Sequence, residues 1–214
     1  MYADAFSEAH LPMRIRKIDV LVVAAFVGIF SVIVFYSGSR MRNYGKTECI
    51  YNLKIIHFDY ANFMSEHGKF VSQVSTNAGG TLEYASQLTN VARHFRALIP
   101  GTMPAWYLNC PLDKRVRPAK PNELANTNIS YFLSINPPFD NGQWVLSGNR
   151  NILLTKSIED DSSIRAAAWN ANAGLHGDKG YLLLLDGSVS QVNDVQVNTC
   201  FTNAGNIRNQ IAIP

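Results

Sequence analysis

The sequence is poor in charge. Only 16% of its 214 residues are charged, against about 25% in a typical soluble protein. The net charge is +3, and no run of basic residues is interleaved with aromatic residues. Nucleic-acid binding needs such a basic surface, so no nucleic-acid partner is expected. The low charge fits a membrane segment joined to an exported domain rich in Asn, Ser and Gly.

Cysteine is scarce as well, with only Cys49, Cys110 and Cys200. They form no CxxC pair, which argues against a zinc ribbon or a thioredoxin-like site. An oxidising compartment would allow one disulfide with a spare thiol, and Cys49 with Cys110 is then the favoured pair. Three small buried cysteines without a disulfide are the simpler interpretation and rank ahead of this pairing.

The motifs of common enzymes are missing, since the chain has no G-x-S-x-G, H-E-x-x-H or Walker sequence. His176 lies close in sequence to Asp178 and Asp186, which suggests a metal or acid-base cluster of a hydrolase. A tight turn explains Asp186 and a polar loop explains Asp178. We therefore expect His176 to hydrogen-bond a backbone group beside the turn, and we expect no catalytic residue, metal ion or cofactor.

Proline is absent between Pro12 and Pro100, so nothing forces a helix to break there. Residues 20–36 form an uncharged apolar run that roughly matches the thickness of a bilayer core. Basic residues on both sides leave its orientation undetermined. A signal peptide is the alternative, but the run exceeds the usual apolar region of one and no clear A-x-A site follows. The sequence therefore predicts an uncleaved membrane-spanning helix.

A second helical pattern follows this run. Apolar residues recur at alternating steps of four and three, which indicates a helix with one buried face reaching to about residue 66. These residues are Cys49, Leu53, Ile56, Tyr60 and Phe63.

The rest of the chain predicts a mixed α and β domain. Gly-rich and Pro-rich composition predicts loops at 68–82 and 117–128, and apolar spacing predicts a short helix at 90–98. The segment 160–175 has no clear pattern, and a helix at 195–207 is only weakly indicated. Asp186 and Gly187 predict a two-residue hairpin turn, and the unbroken apolar run before them predicts a strand covered on both faces. Strands are predicted at 106–110, 130–135, 144–147, 152–155, 181–185 and 188–192.

Several of these blocks resemble a known bacterial family. His176 is followed by nine residues and then by Asp186 and Gly187, which is an H-X9-DG element. The segment IDVLVVAAFVGIF is similar to the apolar part of a prepilin cleavage/methylation segment, and CIYNLKIIHFDYANFMSEHGKF is similar to its helical continuation. NCPLDKR, NISYFLSI and VLSGNRNI also look like blocks of this family. The chain thus resembles prepilin-like and pseudopilin-like proteins over most of its length after Met13.

The resemblance implies an α+β fold of the type IV pilin kind. In that fold a long N-terminal helix, first transmembrane and then amphipathic, packs on an antiparallel β-sheet. The expected parts are a basic leader at 1–17, a transmembrane half at 18–36, an amphipathic continuation at 37–66 and an exported domain at 67–214. The resemblance also implies a single pass through the bacterial inner membrane, with the N-terminus cytoplasmic and the C-terminal domain periplasmic or extracellular.

The chain departs from the family at the processing site. Alignment on the apolar run places Arg14 where the family has the glycine that precedes cleavage, and Ile15 where the mature chain would start. This departure puts processing by a prepilin peptidase in doubt. Asp19 falls where the family has the glutamate that pairs with the new amino terminus of a neighbouring subunit. A carboxylate at a membrane boundary needs such a partner or water, and the alternative is that Asp19 caps the helix.

Two functional hypotheses follow. The first is a non-enzymatic structural or accessory subunit of a type II secretion or type IV pilus-like assembly, which associates with itself or with other pilin-like subunits. The second is a membrane-anchored binding module that stands alone and has lost prepilin processing, as Arg14 would suggest. A hydrolase that uses His176 and Asp178 is a third and weaker hypothesis.

Overall fold

The computed structural model describes residues 17–99, 105–137, 142–156, 164–202 and 210–214. The chain divides into two compact units, Met1–Arg42 and Asn43–Pro214, which are described separately. Helix α1 comprises Lys17–His67 and confirms the helix predicted between residues 20 and 66. Gly68 directly follows the last residue of the helix, has a φ of +63° and donates its N–H to the Met64 carbonyl at 2.8 Å. A glycine in this left-handed conformation is a common helix stop.

The described part of the first unit is helical and apolar at its surface. The large apolar side chains between Val20 and Tyr36 are 47% to 80% exposed. None of the helices in the described ranges is long and apolar enough to cross a membrane.

In the second unit, the remaining turns of α1 bury one face. The five residues of the predicted stripe are all buried, and they belong to a core that also contains Tyr131, Leu133 and Tyr181 of the sheet. Two polar residues of the same face, Asn52 and Asp59, are buried with them. The stripe prediction is therefore confirmed, but the buried face is more polar than the apolar residues alone indicate.

Five antiparallel strands form the sheet: β1 Tyr131–Ser134, β2 Val145–Asn149, β5 Lys179–Leu184, β6 Val189–Asn193 and β7 Ile211–Ala212. Their spatial order is β6-β5-β2-β1-β7. The neighbouring strands β2 and β5 were both predicted, and β5 is interior, as its unbroken apolar sequence indicates.

A second layer covers the face of the sheet that lies away from α1. It consists of the β-hairpin β3 Ile152–Lys156 and β4 Ile164–Trp169, with helix α3 Asp194–Thr202. Trp169 donates its indole N–H to the Val192 carbonyl at 2.9 Å and lies over Gly180. A Cβ on Gly180 would come within 2.5 Å of the Trp169 ring, so only glycine leaves room for this contact.

Helix α2, Val91–Leu98, confirms the short helix predicted at 90–98, although Pro100 and Gly101 lie outside the described residues. The strand predicted at 106–110 is wrong. Ala105–Leu108 instead forms a 3-10 turn in which Asn109 donates its N–H to the Trp106 carbonyl at 3.1 Å. Periodicity cannot separate a strand from a helical turn in so short an apolar run.

Strand β4 was not predicted. Its sequence IRAAAW has three consecutive alanines, which have little strand preference and show no alternation of polarity. The helix that was only weakly indicated at 195–207 exists as α3, and residues 203–209 lie outside the described part. A long helix packed on an antiparallel sheet confirms the predicted α+β class.

Candidate functional site

A disulfide joins Cys49 of α1 to Cys110, which follows the 3-10 turn. The Cα atoms of the two residues are 5.3 Å apart, and both side chains are buried. These are the two cysteines that the sequence analysis named as the pair in an oxidising compartment, and the interpretation that it ranked ahead, three buried cysteines without a disulfide, is wrong. Cys200 on α3 is half-buried and is not part of this disulfide. The disulfide fixes the start of the buried stripe of α1 to a loop that follows it by 61 residues.

His176 lies directly against this disulfide. Its Nε2 atom is 3.3 Å from Sγ of Cys110, and its ring meets the Tyr181 ring edge-on with the centroids 5.0 Å apart. The next residue, Gly177, has a φ of +71° and lies between His176 and the start of β5 at Lys179. His176 therefore contacts a sulfur and an aromatic ring, and the hydrogen bond to a backbone group that was expected for it is wrong.

The imidazole of His176 is neutral at pH 7. Its pKa is lowered from 6.5 to about 4, chiefly by burial and secondly by the positive charge of Lys46. The negative charge of Asp113 acts in the opposite direction but is the weakest of the three influences. A neutral imidazole has one nitrogen with a free lone pair, so this histidine can accept a hydrogen bond or bind a metal ion.

The hydrogen bond beside the hairpin is made by a different histidine. His57 of α1 places Nε2 at 3.1 Å from the Leu185 carbonyl, and its ring lies against Gly187. Sequence reasoning did not connect His57 with the hairpin, because nothing in the helix pattern shows which turn of α1 meets it. The two ends of the H-X9-DG element thus have separate contacts, one with the disulfide and the other with α1.

The turn itself is longer than predicted. Leu184 and Ser188 flank a three-residue loop, in which Gly187 has a φ of +83° and donates its N–H to the Leu184 carbonyl at 3.0 Å. Asp186 accepts a hydrogen bond from the Ser188 N–H at 2.8 Å, and the contacts with Ser188 lower the pKa of this carboxyl. Asp186 therefore has a structural role in the turn, which agrees with the interpretation from the sequence.

A buried ion pair lies beside the disulfide. Asp113 is held by the guanidinium of Arg150 through two contacts of 2.6 Å and by the hydroxyl of Ser130 at 3.0 Å. Asn52 of α1 also donates a hydrogen bond to the Asn109 carbonyl at 2.9 Å. The blocks NCPLDKR and VLSGNRNI contain Asp113 and Arg150, but their spacing in the sequence does not show that they pair.

A second buried carboxyl lies further along α1. Asp59 accepts a hydrogen bond from the Tyr107 hydroxyl. Burial raises the pKa of Asp59, while the hydrogen bond from Tyr107 opposes this effect. Burial and the neighbouring carboxylate also raise the pKa of Tyr107. The pair connects α1 with the 3-10 turn and was not identified from the sequence.

The remaining predicted site residues are not part of this cluster. Arg14 and Ile15 lie outside the described residues, and Asp19 lies in α1 with its side chain outside the described part. Asp178 is exposed. Within the described ranges, the group of side chains that could bind a metal ion together consists of Cys49, Cys110 and His176. His176 is thus grouped with the two cysteines.

Comparisons of the chain with protein-family models, with curated protein sequences and with solved structures gave no match.

Proposed function

We propose that the protein is a membrane-anchored, non-enzymatic subunit or accessory of a type II secretion or type IV pilus-like assembly, and that its fold is type IV pilin-like. The observation that carries this proposal is the two-part character of α1. Its first part exposes large apolar side chains from Val20 to Tyr36, whereas its later turns bury a stripe against an antiparallel sheet. A helix divided in this way suits a chain that is anchored at one end and carries a folded domain at the other.

The exposed apolar surface supports an apolar neighbour for the first part of α1. Monomeric soluble proteins rarely leave a large continuous apolar surface open to water. Phe26, Phe30 and Phe35 are 71%, 68% and 80% exposed. Lipid chains and the same helix of another copy are the neighbours that this proposal assigns to them, with Asp19 of one copy paired to a cationic group of its neighbour at the membrane boundary.

The domain contributes a second helix surface for contact between subunits. Tyr44, Tyr51 and Phe58 are 66%, 54% and 62% exposed and follow one another at seven-residue intervals. At about 100° per residue they fall on one side of α1, away from the buried stripe. Seven-residue spacing keeps a contact between two helices in register, so this face suits packing along a neighbouring α1.

Self-association of the full chain in detergent tests the proposal. We expect the wild-type chain to form oligomers and Asp19→Ala to weaken them while the protein stays in the membrane fraction. Asp178→Ala removes an exposed carboxylate of the domain and serves as the matched control, which we expect to behave as wild type. A wild-type chain that is monomeric at every concentration would contradict the proposal.

The second candidate is an anchored binding module that stands alone, and Arg14 in place of the expected glycine favours it. N-terminal sequencing of protein recovered from membranes separates the two functions. A start at Ile15 shows prepilin processing and supports the assembly subunit. An intact start together with a monomeric chain supports the stand-alone module.

A further inference from the structure

The contact between His176 and the disulfide suggests a site with a second chemical state. Cys49 and Cys110 present their sulfur atoms to the same small volume as Nε2 of His176, and the three ligand atoms lie within 4.8 Å of one another. All three are ligand types that zinc prefers. None of the three residues is exposed.

We propose that the reduced protein binds one Zn²⁺ ion through Cys49, Cys110 and His176, and that the metal-bound and disulfide forms are alternative states of this site. This inference does not depend on the proposed function. It adds a metal site, and a redox control of that site, to a chain whose sequence lacks any metal-binding motif.

The geometry fits a tetrahedral metal ion. Zinc lies about 2.3 Å from sulfur and about 2.0 Å from nitrogen, so its ligand atoms are about 3.5 to 3.8 Å apart. Nε2 of His176 is already 3.3 Å from Sγ of Cys110. After reduction, the two sulfurs must move apart to nonbonded distance, and this movement brings them to the separation that a shared zinc ion requires.

The surroundings leave one coordination position open. Asp113 is already held by Arg150 and Ser130, so its carboxylate is not free to become a fourth ligand. Three protein ligands and a water molecule would complete the coordination.

Conversion of the disulfide form to the zinc-bound form takes two steps. An external dithiol reduces the disulfide by two exchanges, so that the Cys49–Cys110 bond breaks, the dithiol becomes a cyclic disulfide and its two protons pass to the cysteine thiols. Zn²⁺ then displaces these two protons and binds two thiolates and the neutral imidazole. No other oxidant or reductant is required.

Cobalt binding to the full chain in detergent tests the site. Cys200→Ser is used as the background, because it removes the third cysteine. A phosphine reductant is added until two thiols per chain titrate; the phosphine takes an oxygen atom from water as the disulfide is reduced. We expect one Co²⁺ per reduced chain with a thiolate-to-cobalt absorption band that Zn²⁺ abolishes, and no such band for the oxidised chain.

His176→Ala should weaken cobalt binding about tenfold or more, because it removes a ligand and not only a supporting contact. His57→Ala serves as the matched control, since His57 contacts the hairpin at Leu185 and Gly187, and it should bind as the background does. The proposal is overturned if the reduced chain gives no thiolate-to-cobalt band, or if His176→Ala binds cobalt as tightly as the background. If the reduced chain has unfolded, His176→Ala binds cobalt as tightly as the background, and this result also overturns the proposal.

A measurement without variants at His176 provides an independent check. In the reduced Cys200→Ser chain, Zn²⁺ should slow alkylation of Cys49 and Cys110 by at least about tenfold, because zinc-bound thiolates are poor nucleophiles. Equal alkylation rates with and without Zn²⁺ would also overturn the proposal.

Discussion

At the scale of single residues, Asp113 and Arg150 form a buried ion pair. The side chain of Asp113 is fully buried and that of Arg150 is 10% exposed, and the two are joined by two short contacts. Removing one partner of such a pair leaves an uncompensated charge in the interior, which costs more than the pair contributes. The stability of the fold therefore depends on both partners being present.

We predict that Asp113→Ala lowers the free energy of unfolding by about 3 to 5 kcal/mol. Arg115→Ala is the matched control, since Arg115 is 4.0 Å from the same carboxylate but its side chain is 57% exposed. Exposed pairs contribute about 0 to 1 kcal/mol. Urea unfolding followed by circular dichroism measures both values, and equal effects of the two substitutions would contradict the prediction.

A buried histidine makes stability depend on pH. His94 of α2 is fully buried against Thr81, with Nδ1 at 2.7 Å from the threonine hydroxyl, and burial lowers its pKa from 6.5 to about 4. Between these two values the unfolded chain takes up a proton that the folded chain does not. Stability therefore falls as the pH drops from about 6.5 to about 4, and this group causes no further loss below that range.

We predict that the free energy of unfolding falls by about 2 kcal/mol between pH 7 and pH 5 because of His94. His94→Gln should remove that part of the fall, and urea unfolding at the two pH values measures it. The same fall in the wild-type chain and in the variant would show that His94 is not its cause.

At the scale of elements, the contact between α1 and the β5–β6 hairpin determines where the turn can sit. A Cβ on Gly187 would lie 2.9 Å from Cε1 of His57, whereas a Cβ on Gly174 would meet no atom within 4 Å. Both glycines have positive φ angles, +83° and +70°. The two positions therefore share the same backbone requirement and differ in packing.

We predict that Gly174→Ala costs about 1 to 2 kcal/mol, the usual penalty for alanine in the left-handed region. Gly187→Ala should cost about 1 to 3 kcal/mol more, because it also crowds His57. Adding His57→Ala should reduce this difference in a double-mutant cycle of thermal unfolding. Equal costs at the two glycines would mean that His57 does not restrict the turn.

Pattern and packing explain which elements the sequence predicts well. The stripe of α1 and the strands on either side of Gly187 combine clear periodicity with strong turn signals, and they form as predicted. Strand β4 lacks alternation, so its position depends on Trp169 packing over Gly180 and could not be predicted locally. The site depends still more on distant contacts. Cys110 and His176 are 66 residues apart, and no local signal brings them together.

At the scale of the whole chain, we propose that the apolar part of α1 anchors the protein and holds neighbouring copies side by side. The surface concerned, from Val20 to Tyr36, is exposed in the described structure. We therefore expect two copies to approach one another along this helix within a membrane.

Oxidative crosslinking in isolated membranes tests this packing of neighbouring helices. Val27→Cys in a Cys200→Ser background places a thiol on the apolar part of α1, where Val27 is 60% exposed, and Gln191→Cys places one on the exposed edge of the sheet as a control. We expect the Val27→Cys variant to form membrane-bound dimers, joined through the introduced thiols, in much higher yield than the Gln191→Cys variant. Recovery of the chain outside the membrane fraction, or equal low yields for both variants, would contradict it.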